Sequence, residues 1–315
     1  MSNPPESIID LTGAREEAKE RMKGVCAVYK VCDGHADRLC QGIKYGKALG
    51  MGGIGKGLTF AANIEALDRL HLKSRLISSH SEPEMKASFL GYEVAFPIFC
   101  SSMSGVKISM GGAISESDFA RAVITGCKAA GTIGFIGDGA ETFEDRPGVQ
   151  AIREAGGWGV QIFKPREQTV LLRLIEEAQA AGATLPFILK GITSVEDAAA
   201  ALETGCKVIA VSNHGGRTLD CMPGVADVLP RLVPLLRGKV VITADGGVRT
   251  GFDVLKMLAL GADFVMVGRE FIRAAIGGGA QGVTAEAAFL SQDLKKAMIM
   301  TGCNSLSEID GHVFA

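Results

Sequence analysis

The chain has 315 residues, 47% hydrophobic and 22% charged, with 33 Lys and Arg against 35 Asp and Glu. That is enough apolar residue for a substantial core in one large domain or two small ones. The near-neutral balance gives no electrostatic reason to expect nucleic acid or an anionic membrane as partner.

No run of about eighteen apolar residues occurs, so no membrane span is expected. Residues 1–13 have neither the basic start nor the apolar core of a signal peptide. Eight cysteines in a chain this long do not suggest a disulfide scaffold, and a reducing cytoplasm is the expected setting.

Residues 1–90 read as an extension packed on the rest of the chain, not as an independent domain. They hold a helical segment at 14–23, a glycine-rich stretch at 50–57 and a helix around 61–70. Cys26, Cys32, His35 and Cys40 are metal-capable types, but their spacing fits no common zinc motif, so no metal site is expected. The glycine-rich stretch matches seven positions of a nucleotide-triphosphate loop. Its eighth position, which should be Ser or Thr, is Gly57, and no apolar strand precedes it, so a covering loop is expected instead.

From residue 91 the pattern changes to apolar strand, turn and amphipathic helix. Strands are expected at 97–103, 131–136, 157–163, 185–190, 206–212, 240–244 and 262–267. Helices are expected at 117–129, 147–155, 167–181, 194–204, 223–236, 251–260 and 284–300. The helix at 167–181 carries Val170, Leu171, Leu174 and Ile175 on one stripe, and Ser194 with Asp197 three residues on marks a helix start. Alternation of this kind implies parallel pairing with right-handed crossovers. Strands apolar on both faces suit a buried barrel wall. The expected fold is an α/β (β/α)8 TIM barrel spanning 91–315. Only seven units are present. Two residues, Ala183 and Thr184, stand where a fourth β/α unit would lie, so that unit is absent or omitted after Thr184.

Three strand ends carry chemistry. VSNHGGRTLD at 211–220 places His214 and Arg217 in one loop, where a neutral imidazole can take a proton and a guanidinium can hold a carboxylate through two hydrogen bonds. Alone, His-x-x-Arg is an ordinary loop; the ten-residue context makes it a candidate site. Lys190 ends another apolar strand and needs an anionic partner. Asp245, Gly246, Gly247 and Arg249 follow one strand, and Gly268 and Arg269 the next. Glycine N–H groups and arginines there suit a phosphate, as in the loops after the seventh and eighth strands of many barrels.

Together SNHGGR (212–217), DGGVR (245–249), LALGA (258–262) and Gly268-Arg269 resemble the FMN-dependent 2-hydroxy-acid oxidase and dehydrogenase family, the glycolate and lactate oxidase type. The resemblance is strongest over 185–303 and continues, more weakly, over 62–182. It implies FMN at the C-terminal ends of the barrel strands and oxidation of a small (S)-2-hydroxy acid, lactate first, to the 2-oxo acid. It would make His214 the general base, Arg217 the carboxylate clamp and Lys190 the partner of the flavin N1–O2 edge. Gln161 would touch the flavin ring, Ser212 line its pocket and Asp245 meet the ribityl chain, with Gly247, Arg249, Gly268 and Arg269 on the phosphate. The resemblance also implies a homo-oligomer, tetramer or octamer.

The sequence departs from the family at Phe163, where a substrate tyrosine is usual. The aspartate that orients the base and a second carboxylate-binding arginine belong to the missing unit. A second substrate tyrosine is usual in the N-terminal segment, where neither Tyr29 nor Tyr45 aligns. Two other readings stay open: an FMN-dependent isomerase resembling type 2 isopentenyl-diphosphate isomerase, and a flavin-binding protein without turnover.

Overall fold

The structure is a computed structural model that describes residues 9–22, 43–44, 47–48, 52–75, 77, 82–138, 146–183 and 188–315. Cys26, Tyr29, Cys32, His35, Cys40, Tyr45 and Thr184 lie outside the described residues. Two short antiparallel pairs come first, β1 (Ile43–Lys44) with β2 (Lys47–Ala48) and β3 (Ala87–Phe89) with β4 (Tyr92–Val94). Seven strands follow: β5 (Ile98–Met103), β6 (Gly134–Gly137), β7 (Val160–Ile162), β8 (Ile188–Ile192), β9 (Val208–Val211), β10 (Val241–Ala244) and β11 (Phe264–Val267). All pair in parallel, in the order β7-β6-β5-β11-β10-β9-β8.

Pairing of β5 with β11 brings the first and last of these strands together and curls the sheet as a barrel wall curls. The curl ends at β7 and β8, the strands on either side of the junction at 183–188. Among the described residues the expected barrel is therefore present as a curled seven-stranded wall without a fourth unit, and the opening falls where the sequence has no room for one.

The helices are α1 (Leu11–Arg21), α2 (Leu58–Asp68), α3 (Val106–Ser109), α4 (Glu116–Ala129), α5 (Pro147–Glu154), α6 (Gln168–Ala180), α7 (Val195–Glu203), α8 (Val225–Leu236), α9 (Gly251–Ala259) and α10 (Arg269–Thr301). Ser194 caps α7 by accepting the Asp197 N–H at 3.0 Å, as its spacing predicts. Thr250 and Asp253 form a reciprocal capping box on α9. The last helix begins fifteen residues earlier than expected, at Arg269, and breaks at Gly279 (φ 57°, ψ −145°). The glycines at 277–279 and 282 hide its first half from a propensity reading.

Alternate residues on the strands enter two different cores. Phe99, Phe135, Val208, Ala210, Phe264 and Met266 face the inside of the curl, while Ile98, Cys100, Ile209, Val265 and Val267 face the helices. The β3–β4 hairpin, which no sequence pattern predicts, plugs the inside. Its Phe89 is fully buried, 4.8 Å from the Phe99 ring and 5.2 Å from Phe264, and Phe99 stacks on Phe264 at 4.7 Å. Among the helices that follow the barrel strands and exceed one turn, the two nearest the opening bury the fewest residues. α6 buries only Leu174 and Ala178, and α7 only Ala198 and Ala201, while Leu172 and Val195 stand exposed. A missing neighbour on that side of the wall accounts for both.

Candidate active site

All seven strands point their C-terminal ends the same way, so β8 and the loops after β9, β10 and β11 converge. They surround a hollow that opens to solvent. Eight of the ten expected site residues are accounted for in its wall: Lys190, His214, Arg217, Asp245, Gly247, Arg249, Gly268 and Arg269. Residues from β5 and α2, among them Ser101, Met103, Phe60 and Asn63, complete it.

Ser212 stands just behind the wall and organises it. Its hydroxyl accepts from Lys190 Nζ at 2.7 Å and from the His214 backbone N–H at 3.0 Å, and donates to Asp245 Oδ1 at 2.5 Å. Lys190 Nζ also lies 2.7 Å from Asp245 Oδ2. The anionic partner that Lys190 needs is therefore Asp245, supplied by the neighbouring loop.

His214 holds a left-handed backbone (φ 56°), uncommon for a side chain of its size. Its imidazole is reached from the hollow yet closely ringed by protein. That enclosure, followed by the repulsion of Lys190 and the weaker repulsion of Arg217 and Arg269, lowers its pKa to about 4 against the pull of Asp245. At neutral pH the ring is uncharged and can accept a proton. No carboxylate among the described residues hydrogen-bonds it. Arg217 extends from the same turn and donates to Ser109 Oγ at 2.9 Å, at the end of α3.

Two further cations line the hollow, Arg249 and Arg269. Arg269 begins α10, rests 4.6 Å over the Phe60 ring and donates to the Gly215 carbonyl at 2.9 Å. Arg249 pairs with Glu270 at 2.5 Å. Among the described residues no protein acceptor takes the backbone N–H of Gly247 or Gly268. Gly247 is confined by close approach: a Cβ there would lie 2.5 Å from the Asn63 carbonyl oxygen, at φ 82°. Four cationic side chains against one carboxylate line the whole hollow. That donor set is chemically compatible with FMN: two arginines, two open N–H groups and a helix start could meet a phosphate, and a lysine could meet an anionic ring edge.

Several site residues escaped sequence reasoning. Asn63 and Asn213 exchange amide hydrogen bonds, both 2.9 Å, and Asn63 also accepts the Val225 N–H at 3.0 Å. This buried pair ties α2 to the histidine turn. Asp220 accepts the backbone N–H of Lys56 at 2.6 Å and of Thr59 at 3.0 Å. Its carboxylate thus fills the anion position at the start of α2, where a nucleotide-triphosphate loop would hold phosphate. Partial burial works to raise its pKa, and the backbone donors of Thr59, Cys221, Lys56 and Leu58 outweigh that and hold it low. Asp220→Ala is expected to cost about 1–2 kcal/mol, the usual loss of a helix cap, seen as a lower urea midpoint.

Gln161 is the expected site residue that the structure does not bring to the hollow. It lines a smaller cavity of about 300 Å³ together with Asp138, Arg146, Gly148 and Phe163. Its Oε1 is buried with no hydrogen-bond partner among the described residues. This cavity lies beside β7, at the edge of the opening. Elsewhere, Cys303 Sγ lies 3.7 Å from His312 Nε2, whose Nδ1 is 2.6 Å from Asp310. The order is that of a nucleophile triad, but the thiol is buried and burial raises its pKa, which keeps it protonated.

A cationic hollow with an uncharged imidazole, set at the strand tips of a parallel barrel, is the class of site that takes a phosphorylated cofactor beside a proton acceptor. The FMN-dependent dehydrogenase family matches this sequence over residues 48–185 and 183–315, two segments that meet where the barrel wall is open. The chain belongs to that family. L-lactate dehydrogenase of Xanthomonas campestris pv. campestris is 41% identical over 155 residues, 49% of this chain and 39% of that protein. L-lactate oxidase of Nostoc sp. is 44% identical over 126 residues, 40% of this chain and 34% of that protein. The chain thus aligns with less than two fifths of the length of these curated relatives. Among solved structures, mandelate oxidase with benzoyl-formic acid superposes with a TM-score of 0.76 at 23% identity, covering 95% of this chain and 96% of that one. A flavocytochrome b2 variant gives 0.74 at 22%, covering 84% and 80%.

Proposed function

We propose that the protein binds FMN and oxidises a small (S)-2-hydroxy acid, lactate first, to the 2-oxo acid. The observation that carries the reading is that Lys190, His214, Arg217 and the two glycine–arginine loops share one hollow. Bound FMN would supply the two-electron sink. Gly247, Arg249, Gly268 and Arg269 hold its phosphate, and Lys190, steadied by Asp245 and Ser212, faces its anionic edge. Arg217 clamps the substrate carboxylate. His214, uncharged at neutral pH, takes the substrate proton. The relatives named for L-lactate favour that acid.

The residues present also set limits. Phe163 offers no hydroxyl to a substrate and faces the smaller cavity. His214 acts without the orienting carboxylate that belongs to the missing unit. This second fact favours one competing reading, a protein that binds flavin without turnover. Anaerobic addition of a panel of 2-hydroxy acids to the yellow protein separates the two: bleaching of the flavin absorbance by lactate is expected, and a spectrum unmoved by every acid rejects turnover. Acid release of the chromophore should yield FMN.

We also place residues 1–90 as a covering extension on the barrel and expect a cytoplasmic homo-oligomer, tetramer or octamer, by light scattering. Among the described residues no helix is long and apolar enough to cross a membrane.

A further inference from the structure

We infer that Arg15, on the N-terminal helix α1, is a positioning residue for the phosphate end of the cofactor site and acts through Arg249. The inference rests on the FMN reading above. It starts from a buried charge cluster that the proposed chemistry does not use.

Helix α1 lies against α10 with the two backbones nearly touching. Ala14 and Ala18 are buried there, and a Cβ at Gly277 would overlap the Ala14 carbonyl. That approach brings Arg15 over two carboxylates of α10. Its Nη2 lies 2.9 Å from both oxygens of Glu286 and 3.9 Å from Glu270 Oε2. The Glu286 side chain is 0% exposed and that of Glu270 only 2%. Glu270 also pairs with Arg273 and, at 2.5 Å, with Arg249, which lines the hollow. In the ion pairs named here three guanidiniums face two carboxylates, a formal charge of +1 for these five side chains beside the proposed phosphate position.

Burial drives the Glu286 carboxyl above the usual range. Arg15 leads the cations that oppose this, ahead of Arg273 and Arg249. A buried carboxylate stripped of its main partner is neutralised by a proton or by the next cations within reach, and the second course is inferred here because two cations already stand close to it. Without Arg15 those are Arg273 and Arg249, the cluster's net charge falls to zero, and the guanidinium that should meet the phosphate is turned toward Glu286. The loss should be specific to the phosphate, because Lys190, the proposed partner of the ring edge, pairs with Asp245 and Ser212 and not with this cluster.

The test is a fluorescence titration of the apoprotein with FMN and, separately, with riboflavin, which has no phosphate. Arg15→Met should weaken FMN by about tenfold, the effect of roughly 1.4 kcal/mol, and leave riboflavin unchanged. Arg15→Met/Glu286→Gln returns the cluster to +1 and should restore the FMN-to-riboflavin ratio. Glu286→Gln alone raises the charge to +2 and should tighten FMN, so the inference stays exposed even if Arg15→Met does not fold. An unchanged ratio in folded Arg15→Met, a double variant that does not recover, or Glu286→Gln with wild-type affinity overturns it. Wild-type protein that binds neither flavin overturns the FMN reading itself, and this inference with it.

Discussion

His214→Asn is expected to lower kcat/KM for the hydroxy acid by about 100- to 10,000-fold, the usual contribution of a positioned general base. The hydrogen bonds that set this turn do not use the imidazole. Ser212 accepts the residue-214 backbone N–H, and the Asn63–Asn213 pair anchors the turn to α2, so the variant should keep the fold and the flavin colour. Stopped-flow measurement of flavin bleaching is the direct check. A loss below threefold would remove His214 from the proton-accepting role.

The same histidine fixes the acid limb of the pH profile. Its folded pKa, about 4, lies below the ordinary value near 6.5. The free enzyme therefore holds a neutral base at every pH above about 5, and kcat/KM should be flat there and fall only as pH drops through 4. A substrate carboxylate on Arg217 offsets one of the repelling cations, so the limb in kcat should lie at higher pH than the limb in kcat/KM. Stability runs in the same direction. Because the unfolded chain binds a proton at this site that the folded one refuses, the histidine's contribution is complete above about pH 6.5 and is lost as pH falls toward 4.

One distinction separates the residues that the sequence revealed from those it hid. His214, Arg217, Asp245, Arg249 and Arg269 were legible because each follows an apolar strand within a few residues, and strand ends in a parallel barrel converge. Asn63 and Phe60 reach the same hollow from more than a hundred residues away, and nothing in their own neighbourhood marks them. Asp220 was in view within the histidine motif, but its partner is the backbone at 56–59, a contact no local pattern encodes. The β3–β4 hairpin was missed because three-residue strands carry too short a period to read. The missing fourth unit was legible as a count. Its consequence for Gln161 was not: on an edge strand beside the opening, that side chain faces the smaller cavity and its Oε1 lies buried with no hydrogen-bond partner among the described residues.

Asp245→Ala should be the most damaging change to the unliganded fold among the site residues. Side-chain exposure is 19% at Lys190 and 11% at Asp245, so removing the carboxylate leaves an ammonium poorly hydrated. It also takes the acceptor from the Ser212 hydroxyl, which already accepts from both Lys190 and the His214 backbone and has nowhere comparable to send its proton. Breaking one side of such a pair costs about 3–5 kcal/mol, and the urea midpoint should fall accordingly. Lys190→Met/Asp245→Leu, which removes both charges together, should recover most of that stability, because an apolar pair leaves no stranded ion. Turnover should not return with it, since the group facing the flavin's anionic edge is gone. If the single and double variants unfold at the same midpoint, the pair does not hold this corner of the hollow, and the ordering of the loop after β9 must come from its other contacts, the Asn63–Asn213 amides and the Arg269–Gly215 bond among them.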